Sequence, residues 1–304
     1  MTYVLFLFGL ALLFGGGELL VRGASAIARH FRLSPMVIGL TIVGFGTSAP
    51  ELLVSLQAAL AGQPDMALGS ALGSNVSNIL LILGFAAMIA PLTMPFTRLW
   101  RDFSFMLAAS LAIWLMMLDG TVGRLDGLLL LAGLGVFLFT TLRIGKTETV
   151  ASAGARPIAL PVAIALTLAG LVTLVFGARF LVESATEIAR AFGISEAVIG
   201  LTVVAVGTSL PELATSLIAA LRRQTDIAVG NVVGSNIFNI LGIVGTTALV
   251  TPIPAAPRFA AQDMLWVMGA ALALVAISFF LRGAGRNTGV ALIVAYAAYV
   301  VLSA

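Results

Sequence analysis

The sequence predicts an all-α membrane protein with about ten transmembrane helices, built as two inverted five-helix repeats with broken helices at an ion site. Three observations carry this expectation. Hydrophobic residues make up 60% of the chain and charged residues only 10%, and no long polar stretch leaves room for a separate soluble domain. The apolar runs are long enough to cross a hydrocarbon core about 30 Å thick. A shift of 161 positions lays residues 37 to 84 on 198 to 245 without a gap, with about 29 of the 48 positions identical. The second half therefore repeats the first.

Taken in order, the candidate spans lie near 3 to 27, 35 to 61, 66 to 90, 102 to 118 and 124 to 143 in the first half. In the second half they lie near 158 to 189, 197 to 221, 227 to 250, 263 to 281 and 288 to 303. The polar stretch at 145–157 reads as a cytoplasmic linker between a first repeat (1–144) and a second (158–304), the whole forming one compact membrane domain. Five spans per unit is an odd number, so the two copies enter the bilayer from opposite sides, as in many secondary transporters. Loop cations agree. Loops after the odd-numbered spans hold Arg29, Arg32, Arg98, Arg101, Arg143, Lys146, Arg156, Arg222, Arg223, Arg282 and Arg286, against only Arg124, Arg190 and Arg258 after the even-numbered spans. The positive-inside bias places both termini outside the cytoplasm.

Composition also excludes functions. The formal charge of +3 comes from loop arginines, without the basic patch that nucleic-acid binding needs. With no cysteine, disulfides, thiolate metal sites and thiol catalysis are absent. His30 is the single histidine and reads as a surface loop residue between Arg29 and Arg32. Ala24-Ser25-Ala26 looks like a signal-peptide cleavage site, but no cationic segment precedes the apolar run and Glu18 interrupts it late.

The chemistry concentrates in Gly46-Thr47-Ser48-Ala49-Pro50-Glu51 and its copy Gly207-Thr208-Ser209-Leu210-Pro211-Glu212. Each places a carboxylate, two hydroxyls and a helix-breaking proline inside an apolar span. An intramembrane ionisable group is by default a functional candidate, and each proline leaves the carbonyl four residues back without its amide partner. A second duplicated cluster follows, Gly73-Ser74-Asn75 with Asn78 and Gly234-Ser235-Asn236 with Asn239. Ser74 and Asn78, like Ser235 and Asn239, stand four apart and so share a helical face. Each repeat thus offers a broken helix and a facing helix, and together they make an oxygen cage. Two buried carboxylates call for one divalent or several monovalent cations. Ca²⁺ accepts six to eight oxygens in irregular geometry whereas Mg²⁺ demands a tight octahedron, so Ca²⁺ and Na⁺ fit best. Transition metals would seek imidazole or thiolate.

These duplicated motifs resemble the α-repeats of the cation/calcium exchanger superfamily, and the chain is similar to its prokaryotic sodium/calcium exchangers over its whole length. The resemblance implies an antiporter, not an enzyme, in the cytoplasmic membrane of a prokaryote. It would exchange Na⁺ for Ca²⁺ by alternating access, with those two ions as substrates, no cofactor and no obligate protein partner. By position it implies side-chain ligands Thr47, Ser48, Glu51, Ser74, Asn78, Thr208, Ser209, Glu212, Ser235 and Asn239, with backbone carbonyls at Gly44 and Ala205. Asn239 stands where some members carry aspartate.

Ordinary readings exist for single features, since prolines kink buried helices and serines or asparagines join helices. Duplication at constant offset with intramembrane glutamates favours function. Ca²⁺/H⁺ antiport through the same glutamates is the near competitor, a cation channel the next, and an intramembrane hydrolase the weakest, lacking a nucleophile. Glu18 with Arg22, and Arg179 with Glu183, read as structural ion pairs four residues apart. Gly15-Gly16-Gly17 reads as a bare helix surface for close packing or sliding.

Overall fold

The computed structural model describes residues 2–144, 158–193 and 207–303. Ala205, the linker at 145–157 and the 197–206 part of the seventh span lie outside them. Eleven helices follow in order: α1 (Thr2–Phe31), α2 (Pro35–Thr47), α3 (Ala49–Leu60), α4 (Pro64–Ile89), α5 (Phe96–Asp119) and α6 (Arg124–Ile144), then α7 (Leu160–Ala191), α8 (Leu210–Leu221), α9 (Thr225–Val250), α10 (Phe259–Leu281) and α11 (Arg286–Ser303). Eight are long and apolar enough to span a bilayer, and the bent pair α2 and α3 makes a ninth span. The expectation of ten is thus met to nine among the described residues, because only the 12-residue α8 of the seventh span is described. Outward-facing Phe8, Phe14, Leu128, Phe139, Val172, Phe176 and Phe280 give an apolar coat, as lipid contact requires.

Several boundaries differ from expectation for electrostatic reasons. The fourth span begins at Phe96 rather than near 102, because Asp102 is buried and its carboxylate takes the Arg101 guanidinium at 2.9 Å. A paired charge does not end a helix. Similarly, α10 starts at Phe259, with Arg258 lying over the Phe259 ring at 4.9 Å. His30 belongs to the last turn of α1, not to a loop, and is exposed there. Ala24, Ser25 and Ala26 are buried within α1.

The two halves match in detail. Three repeat-related pairs of helix ends turn through the left-handed region, with glycine in one half and arginine in the other: Arg32 and Gly193, Gly62 and Arg223, Gly120 and Arg282. Such a residue past a helix end closes the last carbonyls. Four two-residue strands pair across the halves. β1 (Leu92–Thr93) pairs antiparallel with β4 (Gly283–Ala284), and β2 (Thr121–Val122) with β3 (Ile253–Pro254). Leu92 opposite Ala284 corresponds to Ile253 opposite Val122, so the exchange is reciprocal, as two-fold-related halves require. The strands were not legible in sequence, being too short for any periodicity.

The first helices of the halves, α1 and α7, form the largest helix pair. A side chain at Gly9 would strike the Leu181 amide at 2.8 Å, one at Gly16 the Leu174 amide at 2.8 Å, and one at Gly23 the Thr167 amide at 2.6 Å. Advancing seven residues along α1 retreats seven along α7, so the two run antiparallel and are related by inversion. Gly170 and Gly177 repay the approach against Gly16 and Gly9. Without lipid-driven hydrophobic gain, such small-residue seams hold membrane helices by close packing. Of the three adjacent glycines, Gly16 faces α7 and Gly17 faces Ala214 and Ile218 of α8, while Gly15 meets nothing within 4 Å.

The ion pairs form as expected, Arg179 to Glu183 at 2.8 Å and Arg22 to Glu18 at 3.9 Å. Glu18 has a stronger partner that sequence did not suggest: Arg222, at the C-terminal end of α8, grips both its carboxylate oxygens. Together with Ser25 donating to Gln224 at 3.0 Å, this ties α1 to the loop after α8.

The seam makes a paired prediction. Gly16→Ala should cost about 1–3 kcal/mol by overpacking backbone against backbone, whereas Gly15→Ala should be neutral or gain up to about 1 kcal/mol from helix propensity. Thermal unfolding in detergent separates the two, and equal melting temperatures would refute the seam.

Candidate functional site

The most enclosed helices carry the polar clusters: in α9, 94% of the apolar stretch is buried, against 11% in α11. Close approach puts them in place. A side chain at Gly39 would meet the Ile227 carbonyl at 2.9 Å and one at Gly230 the Met36 carbonyl at 2.8 Å, so α2 lies flush on α9. That contact brings the Ser235 hydroxyl to donate to the Gly44 carbonyl at 3.1 Å.

The break expected from Pro50 falls at Ser48, whose φ of −86° and ψ of 7° bend α2 from α3 by 43°. Ser209 has nearly the same values, −87° and 5°. Proline fits the first turn of the following helix because its missing N–H has no partner there anyway. Glu51 and Glu212 consequently sit in the first turns of α3 and α8, where the positive end of the helix dipole favours a carboxylate.

Several of the candidate residues meet across the halves. Ser48 donates to Glu212 Oε1 at 2.7 Å, crossing from one half to the other. Ser209 Oγ faces Ser74 Oγ at 3.5 Å, also across the halves. Thr47 donates within its own turn to the Val43 carbonyl at 3.0 Å and lies 3.2 Å from Asn231 Oδ1. The Gly44 carbonyl accepts from Ser48 N at 3.2 Å as well as from Ser235. Asn78 and Asn239 each open a π-helical stretch, Asn78–Ile82 and Asn239–Val244, a widened turn often found at functional sites. Thr47, Ser48, Glu51, Ser74, Asn78, Ser209, Glu212, Ser235 and Asn239 are all buried, and Thr208 is half-buried.

Among the described residues, buried side-chain oxygens with no hydrogen-bond partner include Glu51 Oε2, Glu212 Oε2, Asn78 Oδ1 and Asn239 Oδ1. These are two repeat-related pairs, and the others in that class are all hydroxyls. Burying a carboxylate oxygen without a partner is costly. Two carboxylates, two amide oxygens and surrounding hydroxyls suit a hard cation such as Ca²⁺ or Na⁺.

Sequence reasoning missed the brace behind the site. Asn231, fully buried, donates to Ser216 Oγ at 2.9 Å and to the Glu212 carbonyl at 3.2 Å while meeting Thr47. Its repeat counterpart is Ser70, and that departure from identity was the available signal. A cavity of about 360 Å³ between α4, α10 and α11 reaches Ser74 and Thr208, with Ser77, Asp263, Tyr296 and Tyr299 in its walls.

With this geometry in view, comparison with known proteins is direct. The family described as sodium/calcium exchanger protein matches residues 1–143 and 162–304. The sodium/calcium exchanger MaX1 of Methanosarcina acetivorans is 30% identical, covering 99% of this chain and 98% of its own. Inner membrane protein YrbG of Escherichia coli K12 is 40% identical, covering 82% and 79%. A solved structure of the sodium-calcium exchanger NCX_Mj superimposes with a TM-score of 0.87 at 34% identity, covering 100% and 99%. The chain belongs to the sodium/calcium exchanger family, a family of membrane transporters.

Proposed function

We propose that the protein is a secondary active antiporter that exchanges Na⁺ for Ca²⁺ across the cytoplasmic membrane of a prokaryote by alternating access. The observation that carries this reading is the two-fold set of unpartnered buried oxygens, Glu51 Oε2 with Glu212 Oε2 and Asn78 Oδ1 with Asn239 Oδ1. The hydroxyls of Thr47, Ser48, Ser74, Thr208, Ser209 and Ser235 complete the cage, with the backbone carbonyl of Gly44. Both ions are substrates. The names of MaX1 and NCX_Mj support the pairing of Na⁺ with Ca²⁺.

Charge sets the stoichiometric logic. Two ionised carboxylates are neutralised by one Ca²⁺ or by two Na⁺, so the cage accepts one cargo or the other without a large net charge in a low dielectric. Each repeat supplies one carboxylate, one amide and its hydroxyls, so a small rotation of the α1–α7 pair against the core opens the site to either face while the ligand set stays nearly fixed. The arginines after the odd-numbered spans lie on the cytoplasmic side, and the start of α1 and the end of α11 on the other.

Neutralising either acid, Glu51→Gln or Glu212→Gln, should abolish Na⁺-dependent ⁴⁵Ca²⁺ uptake by proteoliposomes while leaving a monodisperse protein. Normal uptake by either variant would remove the assignment. Protons and cations compete for the same two carboxylates, so uptake should be greatest at alkaline pH and fall as pH drops; a flat profile from about pH 8 to pH 5 contradicts this. With asparagine at both positions 78 and 239, no acid remains to balance a further cation. Uptake should therefore be the same in K⁺-free and K⁺-loaded liposomes, and an absolute K⁺ requirement would show the charge count to be wrong. A pH gradient substituting fully for the Na⁺ gradient would instead support Ca²⁺/H⁺ antiport.

A further inference from the structure

Asn75 lies within the second polar cluster but is none of the candidate ligands. It is buried at 1% exposure, as are Asn236 and Asn239. Its Nδ2 donates to the backbone carbonyl of Asn236 in the opposite half at 3.2 Å. A backbone carbonyl only accepts, so this bond fixes which end of the Asn75 amide points which way. Asn75 Oδ1 is therefore turned toward position 239 and needs a donor there. Asn239 Nδ2 supplies it at 3.0 Å. The remaining end of the Asn239 amide, Oδ1, is buried without a partner and is the end offered to a cation.

The arrangement is not duplicated. Asn236, the repeat counterpart of Asn75, turns its Nδ2 back to the Val232 carbonyl of its own helix at 2.7 Å. Among the described residues, only the second-half amide is thus oriented by a hydrogen bond from the other half.

We infer that Asn75 is the positioning residue for Asn239: through a polarity set by the Asn236 carbonyl, it holds the Asn239 oxygen toward the cation and requires a hydrogen-bond donor at position 239. This rests on the antiporter reading of the site. It also supplies a physical reason for asparagine at 239. An ionised carboxylate there has two acceptor oxygens and no donor, so one would face Asn75 Oδ1 acceptor to acceptor. Flipping Asn75 to relieve that contact would set its oxygen against the Asn236 carbonyl instead.

A double-mutant cycle on the half-saturating Ca²⁺ concentration for Na⁺-driven uptake tests the inference. Asn75→Ala alone should raise that concentration about tenfold, the scale of one buried hydrogen bond with a polar partner left free. In an Asn239→Ala background, Asn75→Ala should add less than about twofold, because there is no amide left to orient. In an Asn78→Ala background the full effect of about tenfold should persist. Equal, additive effects in both backgrounds would reduce Asn75 to a packing residue and overturn the inference. Should Asn75→Ala fail to fold, Asn239→Asp probes the same bond with Asn75 intact. Its acid must keep a proton to fill the donor role, so its uptake should depend on pH more steeply than the parent's, and an unchanged profile would overturn the inference. Parent protein that shows no Na⁺-driven Ca²⁺ uptake overturns the antiporter reading itself, an outcome distinct from additivity in a working transporter.

Discussion

Two carboxylates buried at the junction of the halves, each leaving one oxygen unpartnered, are the constraint around which this bundle is organised. Glutamate is expensive in a membrane interior, and the fold meets that cost in three ways. Each acid stands in the first turn of a helix that restarts at proline, where backbone amides and the helix dipole face it. One acid accepts a serine from the opposite half, Ser48 to Glu212 at 2.7 Å. In the proposed function a cation takes the remaining oxygens, Glu51 Oε2 and Glu212 Oε2, together with Asn78 Oδ1 and Asn239 Oδ1. Remove the breaks at Ser48 and Ser209 and the carboxylates would sit mid-helix, without free amides nearby.

Duplication explains why such a site is attainable by a short chain. Each repeat supplies half of the candidate oxygens, and contacts such as Ser48 to Glu212 join the two sets. The same relation appears far from the site, in the reciprocal strand pairs and in the glycine seam of α1 and α7. Within the seam, Gly9 faces Gly177 and Gly16 faces Gly170, two pairs that are equivalents of one another. Glu18, Arg222, Ser25 and Gln224 connect that pair to the core at one end.

Much of this was legible in the residues. Long apolar runs marked the spans, the constant offset of 161 marked the repeat, and Pro50 with Glu51 marked the candidate site, because each signal is local in the chain. The misreadings include a neighbouring pair that satisfies itself and partners that are distant in sequence. Arg101 and Asp102 looked like the end of a span until the pair proved to be mutually satisfied within α5. Arg222 reaches Glu18 across 204 residues, and Asn231 reaches Thr47 across 184. The paired strands of two residues are too short to carry a period. Asn75 was visible as part of a motif, but its role depends on a carbonyl in the other half, which no spacing rule reveals.

The central claim is that a cation sits between the two carboxylates, held by oxygens of both halves. Anomalous diffraction from crystals of this protein soaked with Sr²⁺, a heavier stand-in for Ca²⁺, tests it without reliance on transport. The account predicts one dominant peak within coordination distance of Glu51 and Glu212 and next to the side chains of Asn78 and Asn239, lost on Glu51→Gln substitution. A dominant peak elsewhere, or one contacting residues of a single half, would contradict it.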